Sequence, residues 1–199
     1  MTTGDSIVSE GLLPELPALL VITGRPGSGK TTFAREFGKQ CYLPIISRDE
    51  LKEGYLNTFQ KSHSELPDDT NKVVSAIFFN AIRYLLGSQV SIIAEAAFQH
   101  QVWAPQLNAI KEKAKIFLLI CTVEDEIAVG RFIKRALANP MREYFHGDQG
   151  VDVAKNDFGL IVDPYDEPRL DLPTFHIDTT NGYNPSINEL RTTIWGMYP

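Results

Sequence analysis

The stretch Gly24-Arg25-Pro26-Gly27-Ser28-Gly29-Lys30-Thr31 constrains the chain more than any other, because it fills every fixed position of the phosphate-loop pattern G-x-x-x-x-G-K-[ST]. The apolar run Ala18-Leu19-Leu20-Val21-Ile22 before it reads as a buried strand. Thr32-Phe33-Ala34-Arg35-Glu36-Phe37 after it opens a helix. Glycines at 24, 27 and 29 allow positive-φ backbone and close approach to an anion. Successive backbone N–H groups then face a phosphate at the positive end of a helix. Lys30 adds a mobile charge for the β- and γ-phosphates, and the Thr31 hydroxyl is placed for Mg²⁺. A glycine turn that binds nothing would need neither Lys30 nor Thr31.

The rest of the chain repeats the strand-then-helix alternation. Helical spacing is expected over about 30–40, from Asp49 through Lys52 with Ser47 as its cap, from Asp68-Asp69-Thr70 to Gly87, over 102–113, over 124–138, and after Pro185. Strands are expected at Leu43-Pro44-Ile45-Ile46, Val90 to Glu95, Lys115 to Cys121 and Thr174 to Asp178. Residues 57–67 read as a polar loop, and 140–173 as a long irregular stretch of the kind that forms a substrate loop or lid. Five strands alternating with helices imply a parallel sheet with right-handed crossovers. The expected fold is an α/β P-loop NTPase sandwich of three layers, with strand order 2-3-1-4-5 and a lid region at about 124–170. Residues 1–17, broken by Gly4, Gly11, Pro14 and Pro17, form an expected flexible leader, with a single domain over 18–199.

Composition removes several function classes. A formal net charge of −6 and a pI near 5.2 argue against a broad grip on duplex DNA or an anionic membrane. Two cysteines, Cys41 and Cys121, make no metal cluster or disulfide framework, so a reducing interior is expected. The polar, acidic start lacks a signal-peptide pattern, and no apolar run approaches the length of a membrane span, so a cytoplasmic location is expected.

A phosphate loop alone does not separate a kinase from a GTPase or a silent nucleotide binder. Asp49, just beyond the second strand, would lie at the carboxyl edge of the sheet beside the loop, where it could take a proton from an acceptor hydroxyl; it could equally stabilise the first turn of its helix. Glu95 ends the third strand, suited either to a metal-proximal role or to capping the next helix. Arg131 and Arg135 lie one turn apart on one helix face, which could meet phosphate or only water. No Asn-Lys-x-Asp segment follows the strongest strand, which disfavours guanine recognition.

Two stretches, Thr23 to Ala34 and Ser47-Arg48-Asp49-Glu50-Leu51-Lys52, make the chain resemble the small P-loop (AAA-type) kinases, which include polynucleotide 5′-hydroxyl kinase domains, zeta toxins and chloramphenicol phosphotransferases. The resemblance implies transfer of the γ-phosphoryl group of ATP, with Mg²⁺, to a hydroxyl acceptor that is a small molecule or a short nucleic-acid 5′ end. It implies that Gly24, Arg25, Pro26, Gly27, Ser28, Gly29, Lys30, Thr31 and Thr32 hold the triphosphate, and that Thr31 and Glu95 hold Mg²⁺. Asp49 would act on the acceptor, Arg131 and Arg135 would reach the transferring group, and Arg131 and Thr179 would lie by the nucleoside. The chain departs from the family at Glu50 and Lys52, where Asp and Arg are usual, and at Ala96-Ala97, where a hydroxyl usually follows the acid. Those departures keep a second reading open, an ATP-binding or ATPase regulatory module with no acceptor. The sequence does not fix the oligomeric state.

Overall fold

A computed structural model describes residues 15–147 and 165–196. The expected leader lies almost wholly outside the described residues, and the expected lid region loses 148–164 in the same way.

Five parallel strands, β1 (Ala18–Thr23), β2 (Ile45–Ser47), β3 (Ile92–Glu95), β4 (Lys115–Thr122) and β5 (Thr174–Asp178), form one sheet in the order β2-β3-β1-β4-β5. The expected order 2-3-1-4-5 is therefore the observed one. Every residue of β1 is buried, as a central parallel strand covered on both faces requires. Leu19 and Val21 enter a core with Phe78, Phe79, Trp103 and Leu107, from helices α3 (Thr70–Gly87) and α4 (His100–Asn108). Leu20 and Ile22 face the opposite core, with Phe33, Phe37, Ile187 and Leu190 from α1 (Lys30–Cys41) and the last described helix, Ile187–Trp195. The period-2 alternation of a strand thus divides one apolar run between two helical layers.

Register brings the chemistry to one edge. Ile22 is opposite Glu95 on β3, and Ser47 at the end of β2 is also opposite Glu95. The glycine loop, the end of β3 and the start of α2 (Arg48–Phe59) consequently share the carboxyl edge of the sheet.

Several expectations need correction. The segment 57–67 is not a plain loop: α2 continues to Phe59, and a 3₁₀ turn at His63–Glu65 follows, closed by a reciprocal Ser62–Glu65 capping box. The irregular stretch from 140 contains α6 (Met141–His146), entered through Pro140 after α5 (Asp125–Ala138). Ser47 occupies the N-cap position of α2 but makes no side-chain cap bond, because its hydroxyl is committed to Glu95. Asp69 likewise caps α3 by position only, while the Thr70 hydroxyl donates to the Pro67 carbonyl. Helix α4 stops at Asn108, five residues short of the expected end, and the closing helix α7 (Ile187–Trp195) is capped by Ser186 with Glu189 rather than opened by Pro185.

Candidate active site

The glycine loop leaves β1 at Gly24, whose φ of 143° no other residue type adopts easily. Its tightness has a second cause. A Cβ at Gly27 would sit 2.1 Å from the Ala128 carbonyl oxygen, and one at Gly24 would sit 2.4 Å from that of Cys121. The loop is therefore wedged between the end of β4 and the first turns of α5. Arg25 forms an ion pair with Asp125 at the start of α5, and Pro26 is exposed at the bend. Ser28 is fully buried and its hydroxyl has no partner among the described residues, while its carbonyl accepts from Thr179 Oγ1 at 2.8 Å.

Lys30 opens α1 and is buried, with its ammonium 3.5 Å from the Arg25 carbonyl. Burial holds its pKa below the ordinary lysine value against the pull of Glu95 and Asp49, and the Arg135 guanidinium adds to the depression. Glu95, Asp49 and Arg135, all site candidates from the sequence, thus act on Lys30, and Cys121 pulls with the two carboxylates. Glu95 is buried and accepts from Thr31 Oγ1 at 3.2 Å and from Ser47 Oγ at 2.8 Å. Burial raises its pKa, opposed by Lys30 and by these two hydroxyls. One hydroxyl and one carboxylate oxygen side by side form a hard-oxygen pair suited to Mg²⁺, which takes few protein ligands alongside phosphate and water. The groove lined by positive-φ glycines with the unpartnered Ser28 hydroxyl fits a polyphosphate.

Asp49 stands exposed in the first turn of α2, beside Arg48 at 3.4 Å. Burial of its surroundings pushes its carboxyl up, but His146, Lys30 and Arg48 together pull it below the ordinary 3.8. His146 at the end of α6 donates from Nε2 to the Glu53 carboxylate of α2 at 2.9 Å, and its side chain is buried. Arg48 also donates to Asn71 of α3 at 2.6 Å, and the Arg48 and His146 charges hold His63 below its usual value together with burial and Lys52.

The two arginines of α5 separate. Arg131 donates to Thr179 Oγ1 at 3.0 Å, to the Thr179 carbonyl at 2.8 Å and to the Thr180 carbonyl at 3.1 Å. It lines a cavity of about 350 Å³ with Gly29, Thr32, Glu36, Thr179, Gly182 and Tyr183, on the β5 side of the loop. Arg135 instead stacks over Phe132 at 5.5 Å and acts on Lys30. The sequence reading missed Ser47 as a partner of Glu95, and also Glu53, His63 and Asn71. A polar residue ending β2 opposite an acid ending β3 was the signal for Ser47; Glu53 lies just past the expected end of its helix, His63 lies in a turn read as loop, and Asn71 lies in an expected helix without any motif to mark it.

A family model described as an AAA domain matches residues 19–152. The L-seryl-tRNA(Sec) kinase of Methanococcus maripaludis is 24% identical over 181 residues, which span 86% of this chain and 64% of that protein. Among solved structures, an inferred kinase of Chloroflexus aurantiacus superposes with a TM-score of 0.73 at 19% identity, over 93% of this chain and 100% of its own. A sugar kinase of Janibacter sp. gives 0.57 at 14% identity, over 92% and 97%. At such identities these two structures establish the fold.

Proposed function

The chain belongs to the AAA domain family, as one of its small P-loop kinases, and from that premise we propose that it transfers the γ-phosphoryl group of ATP to a hydroxyl acceptor with Mg²⁺. One observation carries this reading beyond nucleotide binding: Lys30 lies in the field of two carboxylates, Glu95 and Asp49, and Asp49 stands on the β2 side, away from the cavity at Gly29. A nucleotide binder needs the first carboxylate, while transfer to a second substrate gives the other a use beyond stabilising the first turn of α2.

Residues 24–32 would cradle the triphosphate through backbone N–H groups, with Lys30 on its terminal phosphates. Thr31 and Glu95 would hold Mg²⁺, which supplies charge neutralisation on the phosphate oxygens. Asp49 would accept the acceptor's hydroxyl proton as its oxygen bonds to the γ-phosphorus and the bond to the ADP oxygen breaks. Arg135, already within the field of Lys30, would balance charge on the transferring group. Arg131 and Thr179 would shape the nucleoside side. The depressed pKa of Asp49 keeps it ionised, and therefore able to accept, at neutral pH.

The relative named for seryl-tRNA and the neighbour named for sugars guide the choice of acceptors to test. Purified protein with labelled ATP and Mg²⁺ should phosphorylate at least one of seryl-tRNA, polynucleotide 5′ ends, sugars or nucleosides. Asp49→Asn should lower that transfer by about 10²–10⁴-fold with ATP affinity retained. Tight ATP binding with no transfer to any acceptor would instead favour the regulatory-module reading, whose support is the Ala96-Ala97 pair after Glu95.

A further inference from the structure

The strand end that lacks a hydroxyl after Glu95 receives one from seventy residues further along the chain. Tyr165 places its phenol oxygen 2.6 Å from Thr23 Oγ1, on the residue just before Gly24, and 3.1 Å from the Phe98 carbonyl. Thr23 is fully buried; its hydroxyl donates to the Ala96 carbonyl at 2.8 Å and accepts from Trp103 Nε1 at 3.1 Å. The Ala96 N–H in turn donates to the Ile22 carbonyl at 3.2 Å. Thr23 and Ala96 are thus bonded directly, and the phenol adds a second tie, from Thr23 to Phe98, three residues past Glu95. Burial pushes that phenol's pKa up to about 12, so its single proton stays in place across the working range. The segment is pinned on its far side as well: Asp166 accepts from the His100 N–H at 2.7 Å, and the Arg169 N–H donates to His100 Nδ1 at 3.1 Å.

We propose that Tyr165 is a positioning residue of the triphosphate site, whose hydroxyl ties Thr23, the residue before Gly24, to Phe98 beyond the Glu95 strand end and so tunes the affinity of the glycine loop for Mg²⁺-bound triphosphate. A loop that binds through backbone N–H groups depends on their preset directions, and Gly24, with no side chain and a φ of 143°, cannot hold its own direction. Tyr165 supplies the missing constraint from outside the motif. The proposal rests on reading the loop as a triphosphate site, and it does not require transfer to an acceptor.

Calorimetric titration with Mg–ATP and Mg–ADP, alongside thermal unfolding of the nucleotide-free protein, tests it. Tyr165→Phe removes one oxygen and keeps the ring. Its Kd for both nucleotides should rise about three- to tenfold, the loss of one partly buried hydrogen-bonding centre. Thr23→Val removes that link together with the bonds to Ala96 and Trp103, so it should weaken binding at least as much, and the double variant should lose less than the sum of the two. A merely structural role would lower the unfolding midpoint and leave the Kd of folded protein unchanged, and that result overturns the proposal. Should Tyr165→Phe fail to fold, the Thr23 variants decide: Thr23→Ser, which keeps the hydroxyl that meets Tyr165, must bind Mg–ATP as the wild type does while Thr23→Val binds it more weakly, and equal Kd values for the two overturn the proposal. Wild-type protein that binds Mg–ATP yet phosphorylates nothing defeats the kinase reading alone, while this titration still reads Tyr165; wild-type protein that binds no nucleotide defeats both.

Discussion

At the scale of single residues, charge placement decides behaviour more than residue type does. Asp49 and Glu95 both act on Lys30, yet their pKa values move in opposite directions, because Asp49 is surrounded by His146, Lys30 and Arg48 while burial dominates at Glu95. For Asp49 the folded value lies below the ordinary 3.8, so its contribution to stability is fully present above that pH and is lost as pH falls through the folded value. The acid limb of transfer activity should accordingly lie below the range of ordinary carboxylates. His146→Gln removes the largest of the lowering charges and should move that limb to higher pH, measurable as a shift in the kcat/KM profile. The two cysteines give a second residue-level outcome. Burial pushes the Cys41 thiol up to about 11 and Cys121 up to about 12, so neither holds appreciable thiolate at pH 8. Alkylation of Cys41 by iodoacetamide should run about a hundredfold slower than that of an unperturbed thiol, and labelling of Cys121 should require unfolding.

At the scale of elements, local pattern and tertiary context divide what could be read in advance. The glycine loop, the sheet edge and the positions of Asp49 and Glu95 were legible because each depends on short-range signals: a run of glycines, an apolar strand, a polar residue at a strand end. Helix α6 and the turn at His63–Glu65 were not, because six- and three-residue elements have too few turns to show periodicity, and their geometry is fixed by packing of α6 on α2 and of the turn on α6. Gly38 shows the same division. From sequence it reads as a weak point near the end of α1, yet it is buried, and a Cβ there would lie 3.0 Å from Ile45 and 3.2 Å from Ile93. It lets α1 lie close against β2 and β3. Gly38→Ala should thus be destabilising despite the helix propensity it adds. Gly54, inside α2 with nothing within 4 Å of its Cβ position, lacks any such role; Gly54→Ala should raise stability by about 0.5–1 kcal/mol. Urea unfolding of the two variants provides the contrast, and a stabilised Gly38→Ala would refute the packing argument.

At the scale of the whole molecule, the nucleotide side is tied to the body by few, well-defined bonds. Thr179 Oγ1 links the end of β5 to the Ser28 carbonyl, and Arg131 links α5 to Thr179 and Thr180. A ligand seated on the loop would bear on β1, α1, α5 and β5 together, so Mg–ATP should stabilise the chain as a unit. At a hundredfold excess over Kd the gain is about 2.7 kcal/mol, expected as a rise in unfolding midpoint of about 5–10 °C. Thr179→Val, which strands the buried Ser28 carbonyl and one arginine donor, should cost about 1–3 kcal/mol and shrink that rise. No described helix is long and apolar enough to cross a membrane. The strand order itself has a consequence for how such chains diversify. With β1 at the centre, the cavity at Arg131, Thr179 and Tyr183 hangs from the β4–β5 flank, and Asp49, Lys52, His63 and His146 hang from the β2 flank. On the function proposed above, descendants of one ancestor can rewrite what is phosphorylated by editing α2, the His63 turn and α6, while the phosphoryl source and its machinery pass down untouched.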